Sequence, residues 1–342
     1  MLVVHHPDQA LHDPPCVFRT GKFIEQPDRA ERYRIFLEVV RQQRHEVVEA
    51  PLGGLEPIME VHDQDYVGFL SSVHRRWSMN PSFGPEAVPN VHPTHRMQRK
   101  PTELLGELGW YSNSTSCPIA EGTWPAVLAS AQAAIHAADR LADANRAVYA
   151  LCRPPGHHAF PDMRSGACFL NNAAIAAHRL AKRFAKVAIL DIDVHHGNGT
   201  QFIFWRRADV LFASVHVDPR LSAPYYAGHA DEIGEGPGKG LNFNFPLAWG
   251  AADPAWLDAI GCALAQMRSF QPEALVVSLG FDAGEHDPVA TFKISNGGFE
   301  AAAHKIAGLG LPTLLVQEGG YLGPDLSSYL GGFLRGFEPG PR

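Results

Sequence analysis

Residues 187–195 read Val-Ala-Ile-Leu-Asp-Ile-Asp-Val-His, and this stretch indicates the fold. Its four apolar residues lie between a charged helix end and a glycine-rich segment, which is typical of a buried parallel strand. Open α/β sheets place their ligands at the carboxyl ends of such strands. Asp191, Asp193 and His195 come at alternate positions there, so their side chains can line one crevice. Aspartate oxygen and histidine nitrogen suit a divalent metal such as zinc, so the stretch predicts a metal site.

Two further strand ends carry the same residue types. The segment Pro-Pro-Gly-His157-His158 follows the apolar run 148–151, and Leu-Gly-Phe-Asp282 follows the apolar run 274–277. Alone, an Asp-x-Asp sequence is also typical of a helix cap with a solvated carboxylate. Three strand ends that each carry Asp or His favour the metal site instead.

The candidate metal ligands are Asp193, His195 and Asp282. Three protein ligands leave one coordination position open for water or substrate, which is the usual arrangement of catalytic zinc. Zinc in such a site polarises a carbonyl group and lowers the pKa of bound water. This ligand set therefore predicts a hydrolase.

The paired histidines His157 and His158 are candidates for moving protons during hydrolysis. Asp191 is placed to bind one of them and Asn198 the other. A carboxylate stabilises an imidazolium more than an amide does, so the two histidines should differ in pKa. We therefore expect His158, the partner of Asn198, to be the neutral base.

A tyrosine completes the candidate catalytic residues. Glu-Gly-Gly-Tyr321 follows the predicted strand 312–317, and its two glycines allow a sharp turn that brings Tyr321 over the site. A phenol beside a polarised carbonyl can donate a hydrogen bond to the developing oxyanion. By itself Gly-Gly-Tyr is typical of an ordinary turn. The prediction that Tyr321 is catalytic therefore rests on its position after a strand end.

Composition excludes several classes of protein. The chain has 342 residues, of which 45% are hydrophobic and 19% charged, as in a soluble globular protein. Its net charge of −7 argues against a nucleic-acid partner. We expect no membrane contact, because no run approaches about 18 apolar residues. The five cysteines form no Cys-x-x-Cys pair and no signal peptide is visible, so we expect a cytoplasmic protein.

Apolar runs alternate with helix-period segments, as in parallel βαβ construction. Helices are predicted over about 28–43, 64–77, 123–142, 171–184, 255–268, 297–308 and 325–336, and strands near 1–5, 46–50, 147–152, 187–192, 210–216, 274–279 and 312–317. We expect residues 1–342 to form a single domain. An irregular, proline-rich insert at about 78–122 should shape the entrance to the site or a subunit contact, although a linker is the alternative.

These motifs resemble those of the zinc-dependent histone deacetylase superfamily. The resemblance rests on Pro-Pro-Gly-His157-His158-Ala, on residues 191–200, on Ser-Leu-Gly-Phe-Asp282 and on Glu-Gly-Gly-Tyr321, and it covers about residues 2–337. The sequence is most similar to the bacterial acetylpolyamine amidohydrolases. It shares with them the run Leu-Cys-Arg-Pro-Pro-Gly-His-His, the Gly-Thr-Trp at 122–124 and the long insert before it.

The resemblance implies an arginase/deacetylase fold, with an eight-stranded parallel sheet flanked by helices. It implies one zinc ion on Asp193, His195 and Asp282, acid and base roles for His157 and His158, and oxyanion stabilisation by Tyr321. It also implies a structural potassium ion near Asp191, Asp193, His195 and Ser214. In acetylpolyamine amidohydrolases the insert joins a dimer interface, so the resemblance implies a homodimer that uses residues 78–122.

Two departures from the family pattern concern the substrate channel. The family usually has an aromatic residue before a channel cysteine, where this chain has Ala167, so the channel should be wider unless Phe169 or Tyr226 fills the gap. Leu105 and Ser116 occupy places where the similar polyamine enzymes have acidic residues that attract the substrate's distal ammonium. Nearby acidic residues that could substitute are Glu103, Glu107 and Glu121.

The sequence therefore predicts a zinc-dependent amidohydrolase that removes acetyl groups from acetylated polyamines or similar amides of primary amines. Alternatives with the same chemistry are a deacetylase of acetyl-lysine in proteins and a deacylase of another small amine. An arginase-like ureohydrolase would need two manganese ions and an Asp-x-His-x-Asp pattern, which the strand end at 191–195 lacks. A binding protein without catalysis is disfavoured, because every catalytic position is filled.

Overall fold

A computed structural model describes residues 1–97, 99–143 and 146–337. The strands are β1 (Leu2–His5), β2 (Cys16–Arg19), β3 (Lys22–Glu25), β4 (Glu46–Glu49), β5 (Ala147–Ala150), β6 (Val187–Asp191), β7 (Val210–Val217), β8 (Asn242–Leu247), β9 (Ala274–Leu279) and β10 (Thr313–Gln317). The α-helices are α1 (Ala30–Gln42), α2 (Glu56–Met59), α3 (Gln64–Ser78), α4 (Leu104–Trp110), α5 (Thr123–Ala142), α6 (Asn172–Leu180), α7 (Asn198–Phe204), α8 (Asp253–Phe270), α9 (Asn296–Ala307) and α10 (Leu326–Phe337).

Eight of the strands form one sheet in the order β4-β1-β5-β10-β9-β6-β7-β8. Every neighbouring pair in it is parallel. The predicted eight-stranded parallel sheet is thus confirmed. Because the strands are parallel, their carboxyl ends lie along one edge, where the functional motifs follow β5, β6, β9 and β10.

The sheet is buried on both faces, as its apolar strands predict. In β6, Val187 and Ile189 pack with α3, α5 and α6 on one face, whereas Ala188 and Leu190 pack with α1, α8, α9 and α10 on the other. This alternation follows from the two-residue period of a strand. Two apolar cores therefore hold the central strands from both sides and fix the positions of the loops at their ends.

The alanine-rich helix α5 packs closely, as its small residues predict. Ala129, Ala133 and Ala137 are fully buried, and α5 contacts both α6 and β5. Small side chains allow the helix to approach its neighbours, and they bury no group that needs a hydrogen bond. The helix thus covers the face of the sheet beneath the His157–His158 loop.

The sequence pattern did not predict several of the strands and helices. The strand β8 contains alternate asparagines and Pro246, which are unusual in strands, and it lies at the edge of the sheet, where proline is tolerated. The antiparallel hairpin of β2 and β3 and the short helices α2, α4 and α7 were also not predicted. The predicted helix over 171–184 ends at Leu180.

The insert at 78–122 is packed onto the rest of the protein. It contains α4, and a bridge between Ala87 and Ile119 closes it on itself. The buried guanidinium of Arg164 donates hydrogen bonds to the carbonyl groups of Leu108 and Tyr111, each over 3.1 Å. These contacts attach the insert to the segment that carries Arg164. Among the described residues, no helix is both long enough and apolar enough to span a bilayer.

Candidate active site

The predicted site residues meet where four neighbouring strands end. These strands are β5, β10, β9 and β6, which are consecutive in the sheet. The loops that follow them deliver, in the same order, His157 with His158, then Tyr321, then Asp282, and finally Asp193 with His195. This convergence is the general property of parallel sheets on which the sequence argument relied.

Asp193, His195 and Asp282 form a compact set of potential metal ligands. One ligand atom from each lies within 4.8 Å of the others. The Nδ1 atom of His195 is 3.2 Å from Oδ1 of Asp193 and 3.0 Å from Oδ2 of Asp282. Both carboxylates are buried, with at most 1% of the side chain exposed. The distances bring all three predicted ligands to one point.

The two buried carboxylates of this ligand set need a positive charge beside them. Burial, together with the nearby Asp193, raises the pKa of Asp282. Burial alone would lower the pKa of His195, but its hydrogen bonds to the two carboxylates outweigh burial and raise that pKa to about 10. Two buried carboxylates are stable here only beside a cation, which either an imidazolium or a divalent metal ion supplies. Two carboxylate oxygens and one imidazole nitrogen are a donor set that fits zinc.

A second cluster, formed by His157, Cys168 and Glu318, also brings ligand-type atoms within 4.8 Å of one another. Burial raises the pKa of the Cys168 thiol well above its ordinary value, and the charge of Glu318 adds to this effect. A thiol must be deprotonated to bind zinc. Asp193, His195 and Asp282 are therefore the better metal site.

The histidine pair has the two partners expected from the sequence. The Nδ1 atom of His157 lies 2.9 Å from Oδ2 of Asp191, and Nδ1 of His158 lies 2.7 Å from Oδ1 of Asn198. The two imidazole rings are 4.1 Å apart between centroids. Because Nδ1 of His158 is engaged, its Nε2 atom is left to serve the reaction, whereas Nε2 of His157 lies 3.7 Å from Oδ1 of Asp193.

The pKa values of the two histidines are shifted in opposite directions. Burial by itself would lower the pKa of His157, but the negative charges of Asp193 and Asp191 outweigh it and hold that pKa well above its ordinary value. Burial lowers the pKa of His158 well below its ordinary value, and the positive charges of His157 and His195 add to the effect. At neutral pH the pair therefore consists of a charged His157 and a neutral His158, which is suited to accept a proton.

Glu318 holds the loop that carries the histidine pair. Its buried Oε2 atom accepts hydrogen bonds from the backbone N–H groups of Gly156, over 2.7 Å, and of His157, over 3.1 Å. Burial raises the pKa of Glu318 to about 7. The sequence analysis assigned no role to this residue, although its position directly after β10 was a signal that could have found it.

Close packing explains the two glycines before Tyr321. A Cβ atom on Gly319 would lie 2.5 Å from Oδ2 of Asp282 and 2.6 Å from Oδ2 of Asp193, too close for either carboxylate. Gly320 has φ = +107°, a conformation that favours glycine. The backbone thus passes against the metal set and turns, and this turn places Tyr321 in the lining of the same cavity as His157 and His158.

The buried side chain of Arg32 supports this turn. Its guanidinium donates hydrogen bonds to the carbonyl groups of Gly320 and Glu318 and to Oδ1 of Asp28. It also lies 4.9 Å from the centroid of the Tyr321 ring. Sequence reasoning missed Arg32, because nothing in the local sequence of α1 distinguishes a buried arginine from an exposed one.

A cavity of about 660 Å³ leads to these residues. Its lining includes Ala167, Ser116 and Tyr226, which the sequence placed in the substrate channel. Tyr226 is 92% exposed, so it lies at the entrance and leaves the space beside Ala167 unfilled. Ala167 lines the cavity, and the wider channel that this departure from the family pattern implies stays a prediction.

Other predicted channel residues lie elsewhere. Phe169 is fully buried and does not line the cavity; it packs against His12, with 5.3 Å between ring centroids. Leu105, Glu103 and Glu107 lie at or near α4, outside the cavity lining. Glu107 forms an ion pair with Arg76 over 2.5 Å. The structure thus places all four outside the cavity lining: Phe169 because it packs into the core, and the other three because they lie on or beside α4, none of whose residues lines the cavity.

Two of the residues predicted around a structural cation are neighbours in the sheet. Asp191 and Ser214 are partners across the β6–β7 pair, and both are fully buried. The hydroxyl of Ser214 lies 2.8 Å from Nδ1 of His216. Asp193 and His195 follow Asp191 directly in the same strand-end loop.

Comparison with known proteins agrees with this geometry. Residues 24–336 match the histone deacetylase domain family. The chain is 43% identical to acetylpolyamine amidohydrolase 1 of Pseudomonas aeruginosa over 349 residues, which covers 100% of both proteins. It is 41% identical to the acetylpolyamine amidohydrolase of Mycoplana ramosa, over 98% of this chain and 99% of that protein.

Solved structures give the same result. The crystal structure of the acetylpolyamine aminohydrolase from Burkholderia pseudomallei superposes with a TM-score of 0.96 at 42% identity, over 98% of each chain. The HDA15 HD domain shares the fold, with a TM-score of 0.81 at 24% identity over 98% of this chain and 90% of that one. The chain therefore belongs to the histone deacetylase domain family, a family of hydrolytic deacetylases.

Proposed function

We propose that this protein is a metal-dependent amidohydrolase that removes acetyl groups from small acetylated primary amines and releases acetate. Acetylpolyamines are the first candidate substrates, because full-length relatives carry that name. The observation that carries the proposal is the meeting of the metal-ligand set Asp193, His195 and Asp282 with a histidine pair whose pKa values are shifted in opposite directions.

Asp193, His195 and Asp282 would hold the metal ion, for which zinc is the proposal. When bound at such a site, zinc polarises an amide carbonyl and lowers the pKa of a coordinated water molecule. The ligand set is buried at the end of the cavity, so an amide that reaches it leaves bulk water behind. Electrostatic interactions are stronger in such an environment.

The chain's own residues would move the protons. Neutral His158 accepts the proton of the attacking water at Nε2, because its Nδ1 atom is engaged with Asn198. The hydroxyl of Tyr321 donates a hydrogen bond to the carbonyl oxygen as negative charge develops there. The histidine pair then returns a proton to the nitrogen of the departing amine, while Asp191 keeps His157 oriented and charged.

Acetate release provides the test. Zinc-loaded protein should release acetate from N-acetylputrescine, and a chelator should abolish the release until zinc is restored. An acetyl-lysine peptide, assayed in parallel, tests the rival substrate class. Metal analysis should give one zinc ion for each chain, whereas two manganese ions would favour a ureohydrolase. A protein that binds zinc but releases no acetate from any of these amides would be a binding protein, and the proposal would fail.

We propose that residues 78–122 form a homodimer contact that narrows the entrance. In support, this insert exposes Val91 and Leu105 and also contributes Asn113, Ser114 and Ser116 to the cavity lining. Light scattering coupled to gel filtration should give twice the mass of the chain. A monomeric mass at working concentration would contradict the contact.

We also propose a structural potassium ion beside Asp191, Asp193, His195 and Ser214. The pairing of the buried residues Asp191 and Ser214 across β6 and β7 supports it. Replacing NaCl with KCl should then raise the melting temperature, and identical values in both salts would argue against the ion. A reducing, cytoplasmic location is proposed because all five cysteines are free and three of them are buried.

A further inference from the structure

The peptide group between Gly320 and Tyr321 is held at both ends. Its carbonyl oxygen accepts a hydrogen bond from the guanidinium group of Arg32, which also donates one of 2.6 Å to the carbonyl group of Glu318. Its N–H group donates a hydrogen bond of 2.6 Å to Oδ2 of Asp287. Because a peptide group is planar, a hydrogen bond at each end opposes its rotation. Arg32 and Asp287 therefore fix this plane together.

The carboxyl group of Asp287 joins two segments of the site. Its Oδ1 atom accepts a hydrogen bond of 2.9 Å from the N–H group of Val289, while Oδ2 accepts the one from Tyr321. Val289 and Tyr321 both line the cavity. Asp287 is itself buried, so both of its oxygens are engaged with backbone N–H groups instead of water. One side chain thus connects the cavity wall after β9 with the tyrosine after β10.

The loop that carries Asp287 is itself fixed in place. The N–H group of Asp287 donates a hydrogen bond of 3.1 Å to the carbonyl group of Gly284. The N–H group of His286 donates one of 3.2 Å to the hydroxyl of Tyr329 on α10. A Cβ atom on Gly323 would lie 2.6 Å from the carbonyl oxygen of His286, so the segment after the catalytic tyrosine packs directly against this loop. Asp287 therefore offers its oxygens from a defined position.

The direction of the Tyr321 side chain depends on this peptide plane, because the backbone sets the direction of the Cα–Cβ bond. Gly320 precedes it with φ = +107°, and glycine by itself allows many other backbone conformations. The hydrogen bond to Asp287 supplies a constraint that the glycine does not. Such a constraint matters for catalysis, since a misplacement of about 1 Å can cost about a hundredfold in rate.

We propose that Asp287 is a positioning residue for Tyr321: it holds the N–H group of the tyrosine so that the phenol hydroxyl points at the carbonyl oxygen of the bound amide. The inference rests on the proposed amide hydrolysis, in which that hydroxyl stabilises the developing oxyanion. Asp287 supplies neither a proton nor a metal ligand in this role. Its effect on the rate passes entirely through the tyrosine hydroxyl.

A double-mutant cycle on the full-length, zinc-loaded protein tests the proposal, with N-acetylputrescine as substrate. Asp287→Ala should lower kcat by about tenfold to a hundredfold, with KM and zinc content close to those of the wild type. In the Tyr321→Phe background the same change should lower kcat by less than about twofold, because no hydroxyl is left to misplace. A residue that only stabilised the fold would lower kcat by the same factor in both backgrounds.

Two asparagine variants guard against a folding defect. Asp287→Asn keeps the size of the side chain and one acceptor oxygen, so it should lose less activity than Asp287→Ala. Asp253→Asn is the matched control. Oδ1 of Asp253 also accepts a backbone hydrogen bond, from the N–H group of Ser295 over 2.9 Å, but Asp253 does not line the cavity. This control should keep the wild-type kcat.

Exchange of the Tyr321 amide proton tests the same contact without turnover. The chain has eight tyrosines, so protein labelled with ¹⁵N-tyrosine gives few NMR signals, and Tyr321→Phe identifies the relevant one by its loss. This proton should exchange slowly with D₂O in the wild type and at least about tenfold faster in Asp287→Asn, where the hydrogen bond is weakened. Asp253→Asn should leave its exchange rate unchanged.

Two results would overturn the inference. One is an equal loss of kcat from Asp287→Ala with and without the tyrosine hydroxyl. The other is an unchanged exchange rate of the Tyr321 amide proton in Asp287→Asn. If the wild type released no acetate while the exchange rates behaved as expected, the proposed function would fail, whereas the hydrogen bond that holds the tyrosine would stand.

Discussion

At the base of the cavity, polar side chains are buried and bind one another, whereas at the entrance they face water. The base is built from the ends of central strands, and Asp191, Asp193 and Asp282 there are at most 1% exposed. The entrance is built from a hairpin, an insert and a loop, and Tyr226 on that loop is 92% exposed.

The two regions are therefore constrained differently. A change at the base alters several hydrogen bonds and the charge balance of buried groups, so it affects chemistry and stability together. A change at the entrance alters one solvated side chain, and the fold tolerates it. We therefore expect the base to fix the reaction and the entrance to set the choice of substrate.

The largest effect is expected from Asp282→Ala at the base. The change removes one of three metal ligands and leaves Asp193 and His195 unable to hold zinc tightly. Zinc content, measured by elemental analysis, should fall well below one ion for each chain, and acetate release should drop to background. Stoichiometric zinc in the purified variant would show that the metal lies elsewhere.

Tyr321→Phe should be the next most severe change. It removes one oxyanion donor and keeps the ring that lies against Arg32. We expect kcat to fall about a hundredfold to a thousandfold. Zinc content and KM should stay close to those of the wild type. Unchanged turnover would remove the tyrosine hydroxyl from the mechanism.

Asn198→Asp should shift the pH profile with less effect on the maximal rate. In the wild type, the low pKa of His158 keeps it neutral, so the acid limb of kcat/KM should lie below pH 6.5. A carboxylate at position 198 favours the imidazolium form and raises the pKa of His158. Activity should then be lost at a higher pH as the solution is acidified. An acid limb that stays in place would mean that another group acts as the base.

Tyr226→Ala at the entrance should have the smallest effect. Because the side chain is almost fully exposed, the free energy of unfolding should change by less than about 0.5 kcal/mol. Zinc content should be unchanged and kcat/KM should shift only a few-fold, as steady-state kinetics can measure. A loss as large as that of Tyr321→Phe would contradict the division between base and entrance.

The sequence predicted the base well because its signals are local. Apolar runs that end in Asp or His identify parallel strands and their functional edge, and the order of the strands then brings the ends together. The alternate spacing of Asp191, Asp193 and His195 also predicted that their side chains point to the same side of the chain. Glu318 could have been assigned on the same grounds, since it also follows a strand directly.

The entrance was predicted less well, because tertiary packing determines which residues line it. Phe169 lies next to the channel in sequence, yet it packs inward against His12. Leu105 lies outside the cavity because α4 forms within the insert, and the proline-rich composition of that insert gave no sign of a helix. Arg19, which also lines the cavity, lies on a hairpin of two four-residue strands, too short for a two-residue period to stand out.

The position of β10 has a consequence for how the protein is made. This strand is translated late, yet it lies between β5 and β9 and pairs with both. The proposed ligands follow β6 and β9, which are direct neighbours, so they can meet before residues 313–317 are synthesised. The histidine pair after β5 cannot reach its place beside them until β10 fills the gap. A chain that ended before β10 would therefore carry the three proposed metal ligands and lack a complete catalytic site.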